Sequence, residues 1–350
     1  MNRRTFITIL PALATARALF AAAGVAKARL GVCTFSCHQH WRAVSNKDAG
    51  VKFTDTQSFY RYCRELGAEG VQTGLRSKDT TAARELRALV EVGGGYYESE
   101  LRLPKDESEV AAFETDVRLA REAGANVARS VLMGGRRYEV FKSMEDFRHF
   151  HAEAIRSLSL AEPVVRKHKL KLAIENHKDL TTDEQITLLR KLDSEWVGAL
   201  VDTGNSIALL EEPHAVVEAL APFAMSVHFK DMAVQPYENG FLLSEVPLGT
   251  GMLDLPRIIS TLRLVNPGIA FNLEMATRDP LKVPCLAKDY WVTFPERKAT
   301  QLEAALARVK ANPPGQPPPQ VSGKSVQQVL ADEQSNNRHG LAWMLKNLRA

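Results

Sequence analysis

Only four cysteines, Cys33, Cys37, Cys63 and Cys285, occur in 350 residues, too few to staple a fold together, so an apolar core must hold it. Excess charge is missing from most of the chain as well. The formal +4 comes from residues 1–28, which hold Arg3, Arg4, Arg17 and Lys27 and no acid; without those four, the 45 basic residues fall to 41 against 41 acidic. A neutral body lacks the electrostatic footprint of a nucleic-acid binder, so no nucleic-acid partner is expected. No unbroken apolar run is long enough for a spanning helix, since Pro11 and Arg17 interrupt the one near the start. The glycine turns in GGRRYE and GTG lack the strand–glycine-loop–helix pattern of a nucleotide site. What is present, 45% apolar and 25% charged residues, is the composition of a soluble globular protein.

Residues 1–28 have the form of a targeting segment. NRRTFIT sets two arginines ahead of an apolar residue, and an Ala-rich run leads to Ala26-Lys27-Ala28. That is a twin-arginine export signal with an A-x-A cleavage site, from which Arg17 is a departure. It implies a periplasmic or otherwise exported protein with no stable membrane span in its mature form. The alternative is a basic tail or an uncleaved anchor.

Beyond it, short apolar runs alternate with stretches of helical spacing. RLGVCTF, GAEGVQTGL, GGYYESEL and GANVARSVLM read as strands. TQSFYRYCREL ends at Gly67, and DESEVAAFETDVRLAREAG opens on acids and stops at Gly124, as helices do. Eight strand-then-helix units over residues 29–311 predict an α/β fold, a (β/α)₈ barrel of the usual roughly 250 residues. Residues 312–323, NPPGQPPPQVSG, form a proline-rich linker. Residues 324–350 form a C-terminal helical extension in two short amphipathic pieces. Trp343, Met344 and Leu348 would dock it on the barrel, or on a second subunit in a homo-oligomer.

Four of the runs, KLAIENH, VGALVDTGN, AMSVHFKD and IAFNLEM, end in Glu175, Asp202, His228 and Glu274. The intervals of 27, 26 and 46 residues fit one strand and one crossover helix each, the last with a long inserted loop. Barrel enzymes carry their sites at the C-terminal ends of strands, so these side chains would make a divalent-metal site there. Oxygen-rich ligation with one imidazole favours Mn²⁺, Mg²⁺ or Co²⁺ and also accommodates Zn²⁺. Residues i and i+2 of a strand share a face, which adds His177 and Lys230 as substrate contacts or supports of the metal ligands.

IENH, DTGN, HFKD, PLGTGMLD and NLEM together resemble the sugar phosphate isomerase/epimerase family of xylose isomerase-like barrels, across residues 30–310. The resemblance implies that Glu175, Asp202, His228 and Glu274 are its metal ligands, and that Glu175 and Glu274 also act as the acid/base pair. It implies a small-molecule sugar substrate isomerised or epimerised through a metal-stabilised ene-diolate. Proton removal beside a carbonyl needs that assistance, and carboxylates on either face could take and return the proton. A lyase or dehydratase on keto-sugars or keto-glycosides shares the first step. A non-catalytic exported sugar-binding protein is a third reading. An apurinic-site endonuclease needs more ligands on the early strands and a basic face, which this chain lacks.

Glu98 and Glu100 alternate on the third strand, and Glu98 is a candidate for the pocket wall. CTFSCHQH gathers Cys33, Cys37, His38 and His40 in the first strand-to-helix loop, where His38 would line the pocket. Arg136, Arg137 and Arg278 follow strands four and eight and could hold an anionic group, Arg278 being the substrate-binding candidate. Asp254 is placed to cap the seventh helix.

Overall fold

The computed structural model describes residues 28–294 and 299–349, so the export segment lies outside the described residues except for Ala28. Eight parallel strands close a barrel: β1 (Arg29–Cys33), β2 (Gly70–Thr73), β3 (Tyr96–Glu100), β4 (Val127–Ser130), β5 (Lys171–Glu175), β6 (Val197–Asp202), β7 (Ala224–Phe229) and β10 (Ala270–Leu273). Chain neighbours pair in order, and β1 completes the ring by pairing with β10, Arg29 opposite Ala270. Being covered on both faces, these strands have mostly buried side chains, polar ones such as Gln72, Glu98 and Asn272 included. The expected barrel is the observed one. No described helix is long and apolar enough to cross a membrane, and all four cysteines are free and buried.

The helices start where a side chain can accept from an otherwise orphaned backbone amide. Asp55, Thr181 and Ser325 do so in reciprocal capping boxes before Thr56–Glu65, Thr182–Leu192 and Val326–Leu348. Asp254 accepts from Arg257 N ahead of Leu255–Val265, the capping role expected of it. Gly67 and Gly124, at φ +102° and +90°, stop their helices as predicted.

Three elements differ from the sequence expectation. First, CTFSCHQH is not a loop: a 3-10 turn, Thr34–Cys37, leads into a helix, His38–Asn46. Its buried His40, Trp41 and Ala43 supply an apolar face that a search for one helix per strand overlooks. Second, the inserted loop after β7 is a hairpin, β8 (Asp231–Tyr237) and β9 (Gly240–Val246), joined by β11 (Leu281–Val283) in an antiparallel sheet. Its turn is marked by Asn239-Gly240, with Gly240 at φ +147°, a strong short-range hairpin signal. Third, the C-terminal pieces are one helix, Val326–Leu348. Gly340, inside that helix, packs closely on β10: a Cβ there would lie 2.8 Å from the Leu273 methyls.

That helix docks on its own barrel, with Leu341, Met344 and Leu348 buried. Glu333, fully buried, accepts from Gln39 N at 2.7 Å, His40 N at 3.0 Å and His40 Nδ1 at 2.6 Å. The PLGTGML loop after the hairpin is gathered by Asp231, whose carboxylate accepts from the amides of Met232, Gly249, Gly251 and Leu253. Gly251 is required there, since a Cβ would collide with that carboxylate.

Candidate metal centre

The C-terminal mouth of the barrel brings the four expected ligands together. Glu175 ends β5, Asp202 ends β6, His228 lies one residue before the end of β7, and Glu274 follows β10. One ligand atom from each lies within 4.8 Å of all the others, and all four side chains are buried. His228 Nδ1 is 3.5 Å from Glu175 Oε2, 3.9 Å from Asp202 Oδ2, and in close contact with Glu274 Oε2.

Each candidate ligand is oriented by neighbouring groups. His228 Nε2 meets Gln72 Oε1 at 2.6 Å, so Nε2–H donates there and Nδ1 faces the carboxylates. Asp202 Oδ1 accepts from Gly204 N and Asn205 N at 2.9 and 2.8 Å. Arg129 on β4 donates twice to Glu175 Oε2, at 2.8 and 2.6 Å, and Asn205 Nδ2 donates to Oε1 at 3.0 Å. Lys230 Nζ donates to Glu274 Oε1 at 2.8 Å and lies 2.8 Å from Asp202 Oδ2.

The charges of these groups act strongly on one another. Burial opposes charging His228, yet Glu274 and Glu175 outweigh it and lift the imidazole to about 10. Glu175 and Glu274 pay for burial but are held well below the usual carboxylate range, by Arg129 and His228 and by Lys230 and His228. Asp202 is raised by burial and by its two carboxylate neighbours, against the pull of Lys230. Two inward atoms, Asp202 Oδ2 and His228 Nδ1, sit in charge contacts without completing a hydrogen bond. Three carboxylates and a suitably turned imidazole fit a divalent ion.

A cavity of about 400 Å³ opens above this group, lined by Phe35, Arg129, Arg136, Lys178 and Arg278 as well as Glu175 and Glu274. His177 lines it too; burial, then the Lys178 charge, pushes its imidazole down to about 3, so it is neutral at working pH. Lys230 belongs to the ligand cluster itself, buried beneath the cavity. Arg278 reaches the wall and is gripped by Glu245 at 3.1 and 2.6 Å.

Two candidates do not reach the cavity wall. Glu98 points into the barrel below the ligands, where Gln72 Nε2, Ser226 Oγ and Asn272 Nδ2 donate to it at 2.9, 2.6 and 2.9 Å. Glu100, two residues on, senses the charges of Arg129, His228 and Glu175 instead. His38 stacks on Phe35 with ring centroids 5.1 Å apart, and it is Phe35 that meets the cavity. The CTFSCHQH set disperses: Cys33 Sγ lies 3.9 Å from Glu274 Oε2, while His40 pairs with Glu333. Arg137 is buried against Thr293 and Glu184.

Sequence reasoning missed Arg129, Asn205, Lys178 and Gln72. Arg129 was detectable as the one cation inside the apolar run VARSVLM. Asn205 stands three residues after Asp202 in DTGN, within reach of the neighbouring strand's end. Gln72 and Lys178 gave no signal, because their roles depend on partners distant in sequence.

Near the site, Asp179 is 1% exposed; Oδ1 accepts from Leu180 N at 2.7 Å and Oδ2 completes no hydrogen bond. Burial raises its carboxyl from 3.8 to about 7. A raised acid favours the folded state below the unfolded value and loses that contribution as pH climbs through the folded one. Between pH 4 and 7 the wild type should therefore lose up to about 4 kcal/mol that Asp179→Asn does not lose. Urea unfolding of both proteins across that range tests this, and parallel profiles would refute it.

Comparisons with known proteins agree with the architecture. A family model described as a xylose isomerase-like TIM barrel matches residues 60–305. A 3-oxo-isoapionate decarboxylase of Pectobacterium atrosepticum is 33% identical over 113 residues, 32% of this chain and 41% of that enzyme. The matched stretch thus spans less than half of the relative's length. A D-psicose 3-epimerase crystallised with D-fructose superposes with TM-score 0.59 at 13% identity, over 92% of this chain and all of that one. A xylose isomerase-like barrel protein of Mycobacterium smegmatis in complex with magnesium superposes with TM-score 0.54 at 15% identity, over 80% and 97%. At such identities the two structures show a shared fold.

Proposed function

Because the chain belongs to the xylose isomerase-like TIM barrel family, we propose that it is a divalent-metal-dependent isomerase or epimerase of keto- or aldo-sugars. The observation that carries this is the convergence of Glu175, Asp202, His228 and Glu274 beneath a sugar-sized cavity with several charged side chains in its wall. These four would hold the metal, which when bound supplies a Lewis acid for negative charge developing on substrate oxygens. Glu175 and Glu274 are ionised in the resting site, as a base must be. One of them takes the proton beside the carbonyl. Its return to the former carbonyl carbon, with the hydroxyl proton passing to the former carbonyl oxygen, isomerises the sugar; delivery to the same carbon from the opposite carboxylate inverts the centre. Arg129, Asn205 and Lys230 fix the two carboxylates, so the angle of approach is set before substrate arrives. The neutral His177, on the cavity wall, can hydrogen-bond a substrate hydroxyl without carrying charge.

The partial likeness to a decarboxylase supports a second reading, a lyase that breaks a carbon–carbon or carbon–oxygen bond next to the same carbonyl. With the export reading of residues 1–28, the periplasm is the proposed location. Incubation with Mn²⁺ and a panel of free and 3-keto sugars in D₂O separates the two chemistries. Deuterium on the carbon next to the carbonyl, with nothing expelled, supports isomerisation. Release of carbon dioxide, water or an aglycone supports the lyase instead.

A further inference from the structure

The cavity wall holds one buried positive charge, on Lys178, that no carboxylate pairs with among the described residues. Lys178 is 3% exposed, and its Nζ donates at short range to Asn205 Oδ1, a neutral acceptor. The same oxygen faces Lys230 Nζ at 3.4 Å. Lys230 is compensated by Asp202 and Glu274, both at 2.8 Å. Lys178 has no carboxylate within ion-pairing range among the described residues. A buried ammonium without a counter-ion is costly, and burial, followed by Lys230 and Arg278, brings the Lys178 amine down to about 8. Arg278, paired with Glu245 at 2.6 Å, and Arg136, paired with Glu139 at 2.7 Å, line the same cavity, and Arg136 Nε is buried with no acceptor. A divalent ion on the four candidate ligands would add to the positive charge around Lys178.

We infer that Lys178, Arg278 and Arg136 form a subsite for an anionic substituent of the substrate, a carboxylate or a phosphate, so that the enzyme works on an acidic sugar. Lys178 supplies the buried point charge. The two arginines present planar donors suited to a carboxylate or phosphate edge. The inference rests on the sugar reading above but concerns binding, not the reaction.

Titration calorimetry of the full chain loaded with Mg²⁺ tests it with three probes: D-fructose, 2-keto-D-gluconate and D-fructose 6-phosphate. One of the anions should bind at least about tenfold tighter than D-fructose, and Lys178→Met should bring that ratio close to one. Which anion wins identifies the group. Arg136→Gln, on the more exposed rim, should lower the ratio without disturbing the buried cluster. Equal affinity for all three, no binding of either anion at millimolar concentration, or an unchanged ratio in both variants overturns the inference. Affinity is read without turnover, so a failure of the deuterium experiment leaves this result intact, and the reverse also holds.

Discussion

Glu274→Gln should lower turnover by roughly 10³-fold while leaving the fold intact, the loss expected when a base that is also a metal ligand disappears. Glutamine keeps the shape of the side chain and can still accept from Lys230, but it no longer takes a proton and binds a metal poorly. Stability should change little, because Lys230 retains Asp202 at 2.8 Å and Glu245 at 3.7 Å as counter-charges. Removing one of three crowded carboxylates also relieves repulsion on Asp202. Initial rates on whichever sugar shows deuterium exchange, with a thermal melt alongside, check both halves. A variant keeping more than a tenth of wild-type turnover would show that Glu274 is neither ligand nor base.

Glu333→Ala should cost about 3–5 kcal/mol of unfolding free energy, the range for breaking a buried charged cluster from one side. Three donors, two of them backbone amides, converge on this fully buried carboxylate and would be left without an acceptor. The consequence reaches the site. The C-terminal helix packs on β10 through Gly340, and Asn336 Nδ2 donates to Thr277 Oγ1 at 2.9 Å, three residues beyond Glu274. Undocking the helix should therefore loosen the Glu274 segment as well. Urea denaturation measures the first effect and protease sensitivity of the extension the second; a loss below about 1 kcal/mol would mean the helix is a passive appendage.

The barrel was legible because its strands must be apolar on both faces and its helices must begin and end with recognisable residues. Period and punctuation agreed across the repeats, except for the helix after β1 and the hairpin after β7. The four candidate ligands were legible for a related reason: a Glu, Asp or His at the end of a buried run needs a partner, and the repeat spacing put all four at one rim. What the sequence hid was set by long-range contacts. Glu98 and Glu100 share a strand face, and only the ring of Gln72, Ser226 and Asn272 shows that the former is sealed inside. Gly340 gives no local sign of its close packing on Leu273. The hairpin is the exception, since Asn239-Gly240 announced it locally.

The central claim is that Glu175, Asp202, His228 and Glu274 bind one divalent ion. Calorimetric titration of Mn²⁺ into metal-stripped protein tests it most directly. One ion per chain should bind, with release of close to one proton at neutral pH, because His228, raised to about 10 without metal, must deprotonate to coordinate. His228→Ala should weaken binding by about 100-fold or more. Absence of saturable binding in the wild type, or equal affinity in His228→Ala, would contradict the assignment of this cluster as a metal centre.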